Sequence, residues 1–139
     1  MAIDLETLAR AGEGSFPGLV GLEAVEAGEG RLVMRLALRD AHLAPNGYLH
    51  AGVVVTLADT ACGYGCIAHL PPGAENFTTI ELKSNFLGTA RDGTIVCVAT
   101  PAHLGRATQV WDALVTALAS GRRIALFRCT QLILWPRQT

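Results

Sequence analysis

LHAGVVVTLADTACGYG, residues 49–65, decides how the rest of the chain must be arranged. Small and aliphatic side chains run through it with no polar stripe, so as a helix it is apolar on most sides and needs cover from several directions. Pro71-Pro72-Gly73 stops it, and the spacing predicts a helix over residues 50–68. Gly63 and Gly65 carry no Cβ and let strands approach the helix backbone closely. One residue interrupts the apolar run. Asp59 stands in the middle, where burial makes a charge costly.

Outward from this helix the pattern is nearly all strand. Residues 19–27 read as a strand, Gly28-Glu29-Gly30 as a turn, and RLVMRLALRD (31–40) as its hairpin partner, with Leu32, Met34, Leu36 and Leu38 alternating against Arg31, Arg35 and Arg39. A loop marked by Pro45-Asn46-Gly47 covers 40–49. After the helix, strands are expected over 77–88, 94–104, 107–119 and 122–135, with short turns that make neighbours antiparallel. A short helix over 3–10 precedes them all. One apolar helix and one antiparallel sheet pack best when the sheet curls around the helix, an α+β arrangement in a single domain spanning 1–139. The uncovered side then calls for a second copy of the chain.

Composition narrows the function classes. Half of the 139 residues are hydrophobic, 17% are charged, and the net charge is −1. That balance describes a globular chain and offers no basic run for nucleic acid. No 18-residue stretch is uninterruptedly apolar, and the start, MAIDLETLAR, lacks a signal-peptide core, so a cytoplasmic protein without a membrane span is expected. The four cysteines (Cys62, Cys66, Cys97, Cys129) form no CxxC pair and lie in apolar runs, where buried inert thiols are the expectation and a metal is not.

Two elements of the helix carry chemistry. Asp59 is either a carboxylate bonded on an outer side of the helix or a general base or nucleophile at the edge of an apolar cleft. At the helix entrance, the amides of His50, Ala51 and Gly52 lack intrahelical partners and sit at the positive end of the helix dipole, suited to a developing oxyanion. Donors and carboxylate are eight residues apart, about 12 Å at the helical rise. One copy cannot hold both against one carbonyl; two antiparallel copies can.

The segment NGYLHAGVVVTLADT, with TTIELKSNFL downstream, resembles the hotdog-fold acyl-CoA thioesterases, in the group around 4-hydroxybenzoyl-CoA thioesterase and the phenylacetate-degradation thioesterase. Their G-x-x-H-G-G entrance, L-x-D/E-T helix and T-x-x-L-x-x-x-F-L strand are matched here by Gly47, His50, Ala51, Gly52, Leu57, Asp59 and Thr60, then Thr79, Leu82, Phe86 and Leu87, within a core of 19–135. The resemblance implies an antiparallel sheet wrapped around one central helix, and hydrolysis of a small aryl- or acyl-CoA thioester to acid and CoA without metal or redox cofactor. It makes Asp59 the catalytic carboxylate, Ala51 the oxyanion donor, His50 the residue that shapes the loop and Thr79 the residue that orients water. It also implies an active site across a homodimer, and a homotetramer beyond it.

Three positions depart from the family pattern. Ala51 replaces a glycine; Ala44 stands where many members have an asparagine, leaving Asn46 as substitute or simple turn residue; and Gly63 replaces a water-assisting threonine, so it can only border substrate. His103, Gly105 and Arg106 resemble the family's turn near the CoA phosphates, a role that suits arginine, with an ordinary solvated turn as the alternative. Two other functions fit the same residues: a hotdog enoyl-CoA hydratase or dehydratase using His50 with Asp59, and a non-catalytic acyl-CoA-binding protein.

Overall fold

The computed structural model describes residues 3–138, and its sheet is ordered β1-β2-β4-β5-β6-β3 with every neighbouring pair antiparallel. In chain order the elements are α1 (Leu5–Gly12), α2 (Phe16–Val20), β1 (Glu23–Gly28), β2 (Arg31–Ala37), α3 (Ala51–Ala68), β3 (Asn76–Phe86), β4 (Thr94–Leu104), β5 (Thr108–Ala117) and β6 (Arg123–Leu134). The central helix and the last four strands fall within two residues of their sequence-based limits. The clear correction is at residues 19 and 20, expected to open the first strand but lying in the helical turn over 16–20. That turn forms because Pro17 favours a helix start and Gly21, at φ +93°, ends it in the left-handed region. The first helix also begins later, at Leu5, where the Asp4 carboxylate accepts the Thr7 N–H at 2.8 Å.

The sheet's inner face packs on α3. Leu32, Met34 and Leu36 from β2, Ile95 and Cys97 from β4, Trp111 and Val115 from β5, and Phe127 and Cys129 from β6 are buried with Leu57, Ala58, Ala61 and Cys62 of the helix. Eight of the eighteen α3 residues are buried. The helix is long and apolar enough to cross a bilayer, but here it lies against five strands of its own sheet. Val53, Val55, Asp59, Thr60 and Ile67 remain half-buried on the side the sheet leaves open. All four cysteines are free and buried, as expected, and burial pushes the Cys66 and Cys97 thiols up to about 12. Among the described residues no three His, Cys, Asp or Glu side chains converge as metal ligands.

The end of α3 is tied down by buried polar groups. The Gln109 amide donates to the His69 carbonyl at 2.8 Å, and its oxygen accepts the Trp111 indole N–H at 2.8 Å. Nδ1 of His69 lies 2.7 Å from the Gly65 carbonyl and so carries the proton, while its Nε2 accepts the Gly30 N–H of the β1–β2 turn. His42, read from sequence as a loop residue, is also buried: its ring spans from the Arg39 N–H to the Val20 carbonyl.

The two helix glycines do what close packing requires. A Cβ on Gly65 would meet the Trp111 ring at 2.7 Å, and one on Gly63 would meet Phe77 at 2.9 Å. Trp111 is fully buried with its N–H engaged, so it cannot yield. Alanine gains about 1 kcal/mol over glycine in a helix, against about 1–3 kcal/mol for forcing atoms into a filled core. Gly65→Ala is therefore expected to lower stability by up to about 2 kcal/mol, read as a lower urea midpoint with unchanged slope.

Candidate active site

At the N-terminus of α3 the chain reaches the helix through an exposed turn. Gly47 has φ +85°, and Asn46 Oδ1 accepts the Tyr48 N–H at 3.2 Å, which fastens that side chain to its own turn and leaves the amide nitrogen outward. His50 is the N-cap. Its Nδ1 accepts the Gly52 N–H at 2.8 Å, so in the neutral ring Nε2 bears the hydrogen. Gly52 is small because a Cβ there would lie 2.9 Å from His50 Nδ1. The Val53 and Val54 N–H groups return to the His50 carbonyl. That leaves the Ala51 N–H, exposed and donating to no group among the described residues. Of the three entrance amides expected to meet an oxyanion, only this one is uncommitted.

Two turns along the helix, Asp59 is half-buried beneath the sheet's far edge. Thr79 on β3 places its hydroxyl 3.2 Å from Asp59 Oδ1. Burial pushes the Asp59 carboxyl above the ordinary range, and donation from Thr79 works in the other direction by favouring the charged form. A β-bulge between Thr79 and Glu81 sets this aim, since Thr79 lies opposite Gln131 while Glu81 lies opposite Thr130. Gly63, four residues beyond Asp59, has its vacant side filled by the Phe77 ring.

A polar row crosses the otherwise apolar inner face at this level. Gln109 pairs with Gln131 across β5 and β6, and Gln131 pairs with Thr79 across β6 and β3. Both glutamines are fully buried. Sequence reasoning did not single them out, although each breaks the apolar phase of its strand: Gln109 precedes Trp111, Ala113 and Val115, and Gln131 sits between Cys129 and Ile133. Such breaks are the signal by which they can be found.

His103, Gly105 and Arg106 gather at the β4–β5 turn, one strand end beyond Gln109, which pairs with Leu104. Gly105 donates its N–H to the Thr108 carbonyl, and a Cβ on it would lie 2.5 Å from the His103 ring. Arg106 is stacked on Trp135 at 4.3 Å, and the Trp135 indole donates to the Arg106 carbonyl at 3.1 Å. Trp135 thus positions the cation, a part not legible beforehand. Within one chain the structure brings Asp59 and Thr79 together and leaves Ala51 and the Arg106 turn apart from them.

A sheet backed by one apolar helix, with a carboxylate and an unpaired helix-start amide on that helix, defines the hotdog class of thioester hydrolases. The chain belongs to the thioesterase superfamily, whose family pattern matches residues 46–123. It is 32% identical over 111 residues to a 1,4-dihydroxy-2-naphthoyl-CoA hydrolase of Listeria monocytogenes, covering 80% of this chain and 89% of that one. A hydrolase of the same name from Escherichia coli is 31% identical over 113 residues, covering 79% of this chain and 80% of that one. A thioesterase from Haemophilus influenzae superposes with a TM-score of 0.90 at 26% identity, covering 96% of this chain and 92% of that one.

The balance at Asp59 gives a prediction with a definite sign. Thr79→Ala removes the one donor that favours the carboxylate and leaves the burial that opposes it, so Asp59 should titrate at higher pH. A side-chain carbon NMR titration of Asp59 in the two proteins checks this; no upward move would refute it.

Proposed function

We propose that the protein hydrolyses an acyl-CoA thioester to a carboxylic acid and CoA, with Asp59 as general base on water and the Ala51 N–H as oxyanion donor. The observation that carries this reading is the uncommitted Ala51 amide on the same helix as a half-buried carboxylate. Water attacks the thioester carbonyl as its proton passes to Asp59. Negative charge on the carbonyl oxygen is met by Ala51 N–H, and collapse expels the CoA thiolate, which recovers the proton from Asp59. Thr79 orients the carboxylate, Asn46 and His50 hold the entrance turn, and Arg106, braced by Trp135, takes a CoA phosphate beside His103 and Gly105. The names of the two bacterial hydrolases support beginning the search with aryl-CoA thioesters.

The site is completed by a second subunit, because about 12 Å separates Ala51 from Asp59 along one helix. The open edge of β3 supports this: Ile80, Leu82, Phe86 and Leu87 are 43–56% exposed there. Large apolar side chains grouped on an unpaired edge mark a contact surface. Leu126, Leu132 and Leu134 on the outer face of β6 offer a further contact for a tetramer.

Ala51 permits an unusually clean test. It is the first helical residue, where proline is accommodated and lacks only the N–H in question, and His50 already has the extended backbone (ψ 129°) that precedes proline. Ala51→Pro should retain its fold and lose roughly 100- to 1,000-fold in kcat, as expected for an oxyanion donor. Asp59→Asn should abolish most turnover. Its carboxyl is neutral in both folded and unfolded chains below the unfolded pKa, and above the raised folded pKa its charge costs stability in full. Asp59→Asn should therefore raise the melting temperature at neutral pH while activity, measured as free thiol released from aryl- and alkyl-CoA panels, disappears. Retained turnover in Asp59→Asn would overturn the assignment.

Mixing the two inactive proteins separates one-subunit from two-subunit sites. A heterodimer of Ala51→Pro and Asp59→Asn contains one intact pair of half-sites, so random equal pairing should restore about a quarter of wild-type activity. No recovery after verified subunit exchange would mean that both groups act within one chain.

A further inference from the structure

The hydroxyl of Thr79 faces a conflict that the rest of its cluster resolves. Its oxygen lies 3.2 Å from Asp59 Oδ1 and 2.7 Å from Gln131 Oε1. A hydroxyl has one hydrogen and cannot donate to both acceptors. An ionised Asp59 offers only lone pairs. The Gln131 carboxamide offers a choice, because half a turn about its last bond exchanges oxygen and nitrogen with almost no change of shape.

Consider the two orientations. With the oxygen toward Thr79, two acceptors compete for one hydrogen, and among the described residues the only partner of the Gln131 amide nitrogen is Cys129 Sγ at 3.4 Å. With the nitrogen toward Thr79, the amide donates to Oγ1, the Thr79 hydrogen goes to Asp59, and the amide oxygen faces the Cys129 thiol, whose S–H can donate to it. The Thr79 oxygen then receives one hydrogen and gives one, and the conflict between two acceptors is gone, which matters because Gln131 is fully buried. The first orientation suits a protonated Asp59, which can itself donate to Thr79.

We propose that Gln131 is a positioning residue of the hydrolytic site, donating from its side-chain amide to Thr79 so that the Thr79 hydrogen is fixed on the ionised Asp59. This rests on Asp59 acting as the base. Gln131 touches no substrate; it acts through Thr79. The titratable side chains packed around the cluster are thiols, Cys62 and Cys66 of α3, Cys97 of β4 and Cys129 of β6, and neighbouring Cys129 together with burial pushes the Cys62 thiol up. Glu81 of β3 lies on the other face, opposite Thr130.

The test compares wild type with Gln131→Met, Gln131→Glu, Thr79→Ala and the Thr79→Ala/Gln131→Met pair, each checked for folding by thermal unfolding. Methionine keeps the length and removes the donor. Glutamate keeps the shape and, when ionised, only accepts, so it serves if the methionine variant does not fold. In either variant Asp59, followed by side-chain carbon NMR, should titrate at higher pH than in wild type. The acidic limb of the kcat profile should move the same way, with kcat for an aryl-CoA thioester about two- to tenfold lower and KM little changed. In the Thr79→Ala background, Gln131→Met should add no further loss, since a residue acting only through Thr79 has nothing left to act on.

Asp59 titrating as in wild type in the folded Gln131 variants would overturn the proposal. So would an equal loss from Gln131→Met with and without the Thr79 hydroxyl, which would mark a packing role only. The NMR titration does not depend on turnover, so it stands apart from the catalytic reading: full activity in Asp59→Asn overturns that reading, whereas an unmoved Asp59 titration overturns the role of Gln131 alone.

Discussion

The contact on which the structure turns is that of the Trp111 ring with the backbone of α3 at Gly65. Removing one Cβ lets a large, fully buried ring settle against the helix, and its N–H is then held by Gln109, which in turn donates to the last turn of the same helix. Close approach and hydrogen bonding therefore fix one another. A helix with so little polar surface has no register of its own against a sheet; this lock sets its height. Once that height is set, Phe77 fills the space beside Gly63, and the polar row from Gln109 to Thr79 falls level with Asp59.

Asp59 is where fold and chemistry pull in opposite directions. Burial disfavours its charge, and the reaction proposed for it requires that charge. The protein places a single neutral donor, Thr79, beside the carboxylate instead of a cation. An arginine or lysine in that position would hold Asp59 ionised more firmly and make it a poorer base. A hydroxyl tempers the effect of burial without overwhelming it, which is the environment a base working near neutral pH needs.

Much of this was legible in the sequence, for physical reasons that differ from element to element. The central helix could be read because its apolar run is long and ends at Pro71-Pro72-Gly73; β4 and β5 could be read because short turns bound alternating strands. The helix at 16–20 was missed because Leu19 and Val20 favour strands, whereas the Pro17–Gly21 punctuation that overrides them spans only a single turn. At the site, Asp59 stood out as a carboxylate in an apolar run, whereas Thr79, in a stretch of mixed polarity, was marked only by the family resemblance. The buried glutamines were passed over because a glutamine in a strand is usually solvated, and only the register of its neighbours tells otherwise. The support that Trp135 gives Arg106 joins residues 29 positions apart, a distance at which no local periodicity can speak.

The bulge in β3 changes which of its residues share a face. Thr79 and Leu82 are three residues apart, an odd step that in a regular strand sends two side chains to opposite faces. Their partners on β6, Gln131 and Cys129, are two apart, an even step, so the extra residue has absorbed the difference and both side chains share one face of the sheet. A regular strand starting from Thr79 would instead have turned Glu81 and Lys83 toward the helix. The T-x-x-L spacing is thus a parity change written into the chain: one surplus residue lets a single strand deliver a hydroxyl to a carboxylate and, immediately afterwards, put an exposed leucine on the same face.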